Sequence, residues 1–453
     1  MKLSSGPGKA GRVLLVLAAL LGVWEGRLGG AAPARGEEKK ALLLTREEAL
    51  KMALEKNKDV HKAREYKKMV EGRYVEERAA ALPQLSLNGG FSRDRDDSMK
   101  ALFRGLFPPE KQAGSLEVGL TQALYTFGRI GAAIRAAKIG LATAEDQLRI
   151  FQQAALRDVS AAFDDVLLAK ELYVLAVQNL DQKVRYLDEA RRKHAAGTAT
   201  DYDILAAEVA VENARPEVIR RKNAIEISRE KLQFLLGVEG QEVDATGTLE
   251  APASPYPPYE QGVEVAWKSR PDLSDLRKRM EMQEELVKIY AAGNMPRVDL
   301  KGTYGWRDIH YIDAARGEGQ AWSAGIFLTF PFFDGLRSEG KAAQAKSDLR
   351  SLKIDEAKLK DSIAVQVREA VNSCRESEEI VKALSGTVRR AEKLLQMAEK
   401  GFEYGVKTKL EVDDAQLSVL EAKGNLAKAK RDYSVARVTL DWIMGTIGER
   451  SQP

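Results

Sequence analysis

The sequence predicts a mainly α-helical protein that also carries membrane β-barrel strands, built from two copies of one plan. Three observations predict it. The chain repeats itself: Gly197 and Gly405, Thr200 and Thr408, and Asp203 and Glu411 are each 208 positions apart. "REKLQFLLG" (229–237) matches "RVTLDWIMG" (437–445) at the same offset. Each copy holds a long proline-free stretch whose small and apolar residues step by four and three, the period of a coiled-coil seam. Each copy also holds two short segments that alternate apolar and polar residues and end in aromatics, the pattern of a barrel strand in lipid.

The first 34 residues are set apart from the rest. Lys2, Lys9 and Arg12 precede the apolar run "VLLVLAALLGVW" (13–24), and "GGAAPARGEE" (29–38) follows. A basic start, a short apolar core and a small-residue region make a secretory signal over 1–34, with cleavage expected near Ala32 or Ala34. The run is too short for a membrane span, which needs about 20 residues. With no cysteine nearby, a lipid anchor there is not expected.

The remainder, 35–453, divides into repeat one (about 45–237), a Pro-rich linker (238–259) containing "APASPYPPYE" (251–260), and repeat two (about 260–445). "ALKMALEKNKDV" (49–60) resembles "VEVAWKSRPDL" (263–273), and "LPQLSLNGG" (82–90) resembles "MPRVDLKGT" (295–303), both at an offset of 213. The change of offset places an insertion or deletion between 90 and 121, in a loop.

Each repeat reads short helix, helix, strand, strand, very long helix, tip, half-length helix. The strands are expected at 84–92, 115–124, 297–308 and 321–333. In the first, Leu85, Leu87 and Phe91 share one parity while Gln84, Ser86, Asn88 and Ser92 share the other. The long helices are expected over 126–196 and 335–404, each of about 70 residues and about 105 Å. Their seam runs Ala155, Val159, Ala162, Val166, Ala169, Tyr173, Ala176, Leu180, Lys183, Leu187 and Ala190. At an offset of 208 it continues as Ile363, Val367, Ala370, Cys374, Ser377, Val381, Leu384, Val388, Ala391, Leu395 and Ala398. Returning helices follow over 201–236 and 409–444, with a bend expected at Pro216 and at its counterpart Gly424. The helix over 59–82 and the return helix over 201–236, stacked end to end, nearly equal the long helix in length.

Four strands cannot close a barrel, and an open edge in lipid leaves backbone groups unsatisfied. Several chains must therefore share one barrel: three would supply twelve strands, two would supply eight, and the strand pattern does not choose between them.

Composition excludes other classes. Charged residues make up 30% of the chain, nearly balanced at +4 net, and four of the positive charges lie in the first 34 residues against one acid. No basic field for nucleic acid remains. The lone Cys374 allows no intramolecular disulfide or cysteine-based metal cluster, and His61, His194 and His310 are scattered. No nucleophile–base constellation, phosphate loop or metal spacing appears, so neither an enzyme nor a cofactor or metal site is expected.

The two tips carry the chemistry. "HAAGTATDYDILAAE" (194–208) and "EYGVKTKLEVDDAQ" (403–416) each break a helix at a glycine and place acids beyond it. Thr408-x-x-Glu411 is a capping box and Thr200-x-x-Asp203 a close variant, which accounts for Glu411 and Asp203 by local structure alone. Asp414 is not needed as a cap. Asp201 and Asp413 read as solvated.

The doubled organisation, the strand-to-helix junctions "LTQALYTFGR" (120–129) and "LTFPFFDGLR" (328–337), and the tips "GTATDYD" (197–203) and "GVKTKLEVDDA" (405–415) resemble the TolC family of outer-membrane efflux proteins over essentially the whole mature chain. The resemblance implies a homotrimer in outer-membrane lipid, with a twelve-stranded barrel continued by a periplasmic α-barrel tunnel. It implies docking on an inner-membrane transporter through a periplasmic adaptor, and passive export of drugs, proteins or other solutes. Glu411 and Asp414 occupy the places of acids that line the periplasmic mouth. Lys407 resembles the basic residue that holds the mouth shut by pairing across helices, and Asp203 its acidic partner. Phe402 stands where some such proteins carry a tyrosine, and it lacks the hydroxyl. Gly197, Thr198, Ala199, Gly405, Val406 and Lys407 are the expected adaptor contacts. An acidic mouth implies a cation preference that fades at low pH. The rival reading, a periplasmic adaptor or other structural coiled-coil protein of the envelope, predicts one hairpin rather than two and no lipid-facing strands.

Overall fold

A computed structural model describes residues 42–96, 110–250, 255–312 and 315–448. The expected signal segment lies outside the described residues.

Each repeat begins with a helix pair. Strand β1 (Leu42–Leu44) leads into α1 (Arg46–Lys56), which Thr45 and Glu48 start as a reciprocal cap: the Thr45 N–H donates to Glu48 Oε2 at 2.8 Å. Asn57 starts α2 (Lys58–Ala79) by accepting from the Asp59 and Val60 amides at 2.9 and 3.1 Å. In the second repeat α5 (Tyr259–Ser269) gives way to α6 (Pro271–Ala291), where proline at the first helical position needs no amide partner.

The long helices are α3 (Arg129–Ala195) and α7 (Arg337–Glu403), 67 residues each, hence about 100 Å. They return as α4 (Asp201–Leu236) and α8 (Lys409–Ile443). Both return helices run on through Pro216 and Gly424 without interruption. Along α3 lie both α2 and α4, and α7 is flanked by α6 and α8. The heptad seam is the core: Val159, Val166, Ile363, Val367 and Cys374 are fully buried.

The return helices end alike. Gly237 and Gly445 both take left-handed backbone, at φ 70° and 75°. Each is pressed on the junction of its repeat's helix pair. A Cβ at Gly237 would overlap the Lys56 carbonyl, and one at Gly445 would lie 2.8 Å from the Ser269 carbonyl carbon. Gly237→Ala is expected to cost about 2–4 kcal/mol, from the left-handed conformation plus the backbone collision. A thermal melt of the purified oligomer checks this; an unchanged melting temperature would show that the junction yields freely.

The segment expected as a linker, 238–259, is ordered in its first part: β4 (Val243–Ala245) pairs in parallel with β1. Val243, Ala245 and Leu249 enter a core with Leu44, Phe163, Val166 and Leu236. Burial of these apolar side chains, not the proline content further on, decides its structure.

Strands β2 (Gln84–Arg95), β3 (Glu110–Tyr125), β5 (Arg297–Tyr311) and β6 (Ala315–Thr329) form one antiparallel sheet in the order β2-β3-β5-β6. The last strand stops at Thr329 rather than reaching 333, because Pro331 cannot continue the ladder. The register sorts the residues by face. Leu87, Val118, Tyr304 and Trp322 form one row, and Leu85, Leu120, Gly302 and Ala324 another. On the opposite face Ser86, Gly119, Thr303 and Ser323 form a row, as do Asn88, Glu117, Gly305 and Ala321. The apolar rows stand open: Leu87 is 70% and Trp322 75% exposed. An apolar face opposite a polar one at period two is the pattern of barrel strands in lipid. No described helix is long and apolar enough to cross a membrane.

Candidate functional site

The candidate site is the pair of helical tips, at the end of the molecule reached along α3 and α7. Both turns are built on one pattern. After α3, Gly197 takes φ 73° and the Thr198 amide donates to the Lys193 carbonyl at 2.8 Å. After α7, Gly405 takes φ 72° and the Val406 amide donates to the Gly401 carbonyl at 2.8 Å. These glycines supply the left-handed residue that satisfies the last helical carbonyls.

Both returning helices start in reciprocal caps. The Thr200 N–H donates to Asp203 Oδ2 at 2.8 Å, and the Asp203 N–H to Thr200 Oγ1 at 3.3 Å. The Thr408 N–H donates to Glu411 Oε2 at 2.8 Å, and the Glu411 N–H to Thr408 Oγ1 at 3.3 Å. Bonding to the Thr200 backbone holds the Asp203 carboxyl below the usual range. Glu411 is held low by the Lys407 ammonium first and by the Thr408 backbone second.

Lys407 therefore does not reach Asp203 within the chain. Its Nζ pairs with Glu411 one helical turn away. This pair lies within one tip, between Lys407 just before the Thr408 cap and Glu411 in the first turn of α8. Phe402 is half-buried against Ala398, Val412 and Ala415, with Lys193 Nζ 5.3 Å above its ring. Thr198, Val406 and Lys407 are exposed at the extremity, and Ala199 is half-buried. Asp414 is exposed one turn into α8.

Asp413, expected to be solvated, is half-buried and paired with two lysines. Its Oδ1 lies 3.2 Å from Lys183 Nζ on α3 and 3.1 Å from Lys409 Nζ on its own helix. Lys409 Nζ sits 2.9 Å from the centroid of the Tyr186 ring, and Gln416 donates to the Tyr186 hydroxyl. Burial pulls the Lys409 ammonium below its ordinary value and pushes the Tyr186 phenol up. Sequence reading missed this group, though one signal was visible: Lys183 is a charged residue at a seam position. Asp201, by contrast, is exposed, 3.0 Å from His194 Nε2.

A sheet with one apolar face and, among the described residues, two unpaired edges, continued by helical hairpins of about 100 Å, fits one segment of the wall of a membrane channel-tunnel. Comparison with known proteins places it further. The outer membrane efflux protein family profile matches residues 49–238 and 263–446, one match per repeat. The outer membrane protein TolC of Vibrio cholerae is 23% identical over 384 residues, covering 82% of this chain and 84% of that protein. The alkaline protease secretion protein AprF of Pseudomonas aeruginosa is 25% identical over 385 residues, covering 82% and 78%. Among solved structures, the Campylobacter jejuni CmeC outer membrane channel superposes with a TM-score of 0.76 at 14% identity, over 95% of this chain and 97% of that one. The Vibrio cholerae outer membrane protein VceC gives a TM-score of 0.72 at 19% identity, over 88% and 96%. The chain belongs to the outer membrane efflux protein family. It is a TolC-like outer-membrane channel rather than an enzyme, and membership implies trimerisation and work with tripartite efflux or type I secretion partners.

Proposed function

We propose that three chains, exported by the signal over 1–34, close one twelve-stranded barrel and one helical tunnel. Together they form a passive conduit for small molecules or proteins, gated at the periplasmic tip. The observation that carries this reading is that β2 and β6 each pair with a single strand in the described chain. In the alternating order of the sheet, β6 of one chain meets β2 of the next antiparallel, so the same contact repeated closes the ring and satisfies both edges. The helical wall has matching unpartnered flanks: Tyr202, Leu205 and Val209 are exposed on α4, and Leu394 and Met397 on α7.

At the mouth the acids are unequal. Glu411 is bound by its cap and by Lys407, and Asp413 is shared by two lysines. Asp414 is the acid left free to act on passing ions, with Glu411 secondary. Lys407, Asp203 and Phe402 shape the opening. Gly197, Thr198, Ala199, Gly405, Val406 and Lys407 at the extremity face a periplasmic adaptor, which links the channel to an inner-membrane transporter.

Planar-bilayer recording tests this. The purified oligomer is expected to conduct in small, cation-selective steps. Asp414→Asn is expected to move the reversal potential in a salt gradient most of the way to zero, and Glu411→Gln to move it much less. Equal cation and anion permeability in the wild type would sink the acidic-mouth reading.

A further inference from the structure

We infer that Lys301 and Phe327, repeated in each chain of the ring, form a basic and aromatic belt on the lumen wall where the barrel meets the tunnel, and that this belt holds organic anions carrying a flat apolar ring. The inference rests on the trimeric-conduit reading and names a class of solute that the conduit favours in transit.

The register puts both residues on the polar face of the sheet. Lys301 on β5 stands opposite Gly325 on β6 and Thr121 on β3, and Phe327 stands opposite Asp299. The next row on this face is Ser86, Gly119, Thr303 and Ser323, which the closed barrel turns to its lumen. On β6 this face otherwise carries Thr329, Gly325, Ser323, Ala321 and Gly319, so a large apolar ring is out of keeping with its neighbours. Phe327 has no lipid to cover it there and is 50% exposed. Strand β5 begins at Arg297 and β6 ends at Thr329, which sets the pair at the tunnel end of the sheet.

Two features make the pair a preformed site. The first is the seat of the ring. A Cβ at Gly325 would lie 3.2 Å from Phe327 Cε2, so the ring lies across the glycine, on the side of Lys301. Lys301 Nζ stands 5.3 Å from the ring centroid, within reach of the ring's quadrupole. The second is charge. Arg297 Nε donates to Asp299 Oδ1 at 2.7 Å, and that pair neutralises itself. Lys301 has no carboxylate partner among the described residues. The next acid on this face, Glu117, is four residues along β3 from Thr121, about 13 Å away. Each chain therefore adds one uncompensated ammonium beside one open aromatic ring, and three chains add three of each. An acid group meets Lys301 while a flat apolar part covers Phe327. Water in the lumen screens the charge, so such binding is weak and salt-dependent, favourable enough to enter and weak enough to leave. Its sign is opposite to that of Asp414 at the far end of the conduit.

Planar-bilayer recording of the full-length oligomer at low salt tests the belt, with naphthalenesulfonate or methanesulfonate added on the barrel side. Naphthalenesulfonate is expected to reduce the wild-type current at a concentration several times lower than methanesulfonate requires. Phe327→Leu is expected to abolish that difference, and Gly325→Ala, whose Cβ meets the ring, to diminish it. Lys301→Gln is expected to raise the naphthalenesulfonate concentration needed severalfold. With no probe present, Lys301→Gln is expected to move the reversal potential further toward cation selectivity, opposite in sign to Asp414→Asn. Heat-resistant oligomer on a gel establishes that each variant is assembled. Equal action of the two anions on a conducting wild type overturns the belt and leaves the conduit standing, as does an assembled Lys301→Gln channel with wild-type sensitivity. Absence of conductance in the wild type and in every assembled variant overturns the conduit reading together with it.

Discussion

Leu87→Arg is expected to abolish insertion of the assembled channel, whereas Asn88→Arg, one residue on, is expected to be tolerated. Leu87 stands in the row Leu87–Val118–Tyr304–Trp322 on the apolar face, and Asn88 in the row Asn88–Glu117–Gly305–Ala321 on the polar one. An arginine on the lipid face of a barrel costs about 2–4 kcal/mol at the bilayer midplane. In the proposed ring of three chains that penalty is incurred three times. An arginine at 88 faces the lumen and lies opposite Glu117, a favourable cross-strand pair. Outer-membrane fractionation and heat-resistant oligomer on a gel would read the contrast. Equal yields for the two variants would mean that the sheet does not present this face to lipid.

Arg46→Ala is expected to destabilise the chain by about 2–4 kcal/mol at neutral pH, and by less as the pH falls. Asp164 has no exposed surface and its carboxylate is paired with the Arg46 guanidinium. Removing one partner of such a pair costs about 3–5 kcal/mol, and the partial exposure of Arg46 places this case toward the lower end. Burial is the first influence on Asp164 and pushes its carboxyl up; Arg46 is the first to oppose it. The sign follows. A carboxyl raised in the folded state contributes stability that is complete below its unfolded value and lost as the pH rises through its folded value. Without Arg46 the folded value climbs further, so the deficit against wild type is greatest at neutral pH and narrows in acid, where Asp164 is protonated. Paired melts at neutral and mildly acidic pH check it, and a deficit independent of pH would remove the buried carboxylate as its cause.

Much of the architecture was legible because long elements carry many repeats of one signal. Eleven seam positions recur at an offset of 208, so helix phase and length follow from the period alone. The strands were legible for the same reason at period two; three were read short by a few residues because turn residues dilute the pattern at strand ends, and the last was read past Thr329 into Pro331. The capping boxes at Thr200 and Thr408 depend on neighbours three residues away and were legible from the sequence.

What remained hidden involves residues far apart in the chain. The pairing of β1 with β4 joins Leu42 to Val243, and three-residue strands carry too little periodicity to announce themselves. The pairing of Asp413 with Lys183, 230 positions away, depends on the distance between α3 and α8. Charge type in a sequence names candidate partners; only the packed helices set which of them lie within about 4 Å, where a pair forms. Local periodicity thus wrote the elements, their order and their two faces into the linear chain, because each rests on neighbours within a turn or two. The tertiary structure decided how the tips are wired, because an ion pair between helices depends on the small difference between competing partners at particular separations.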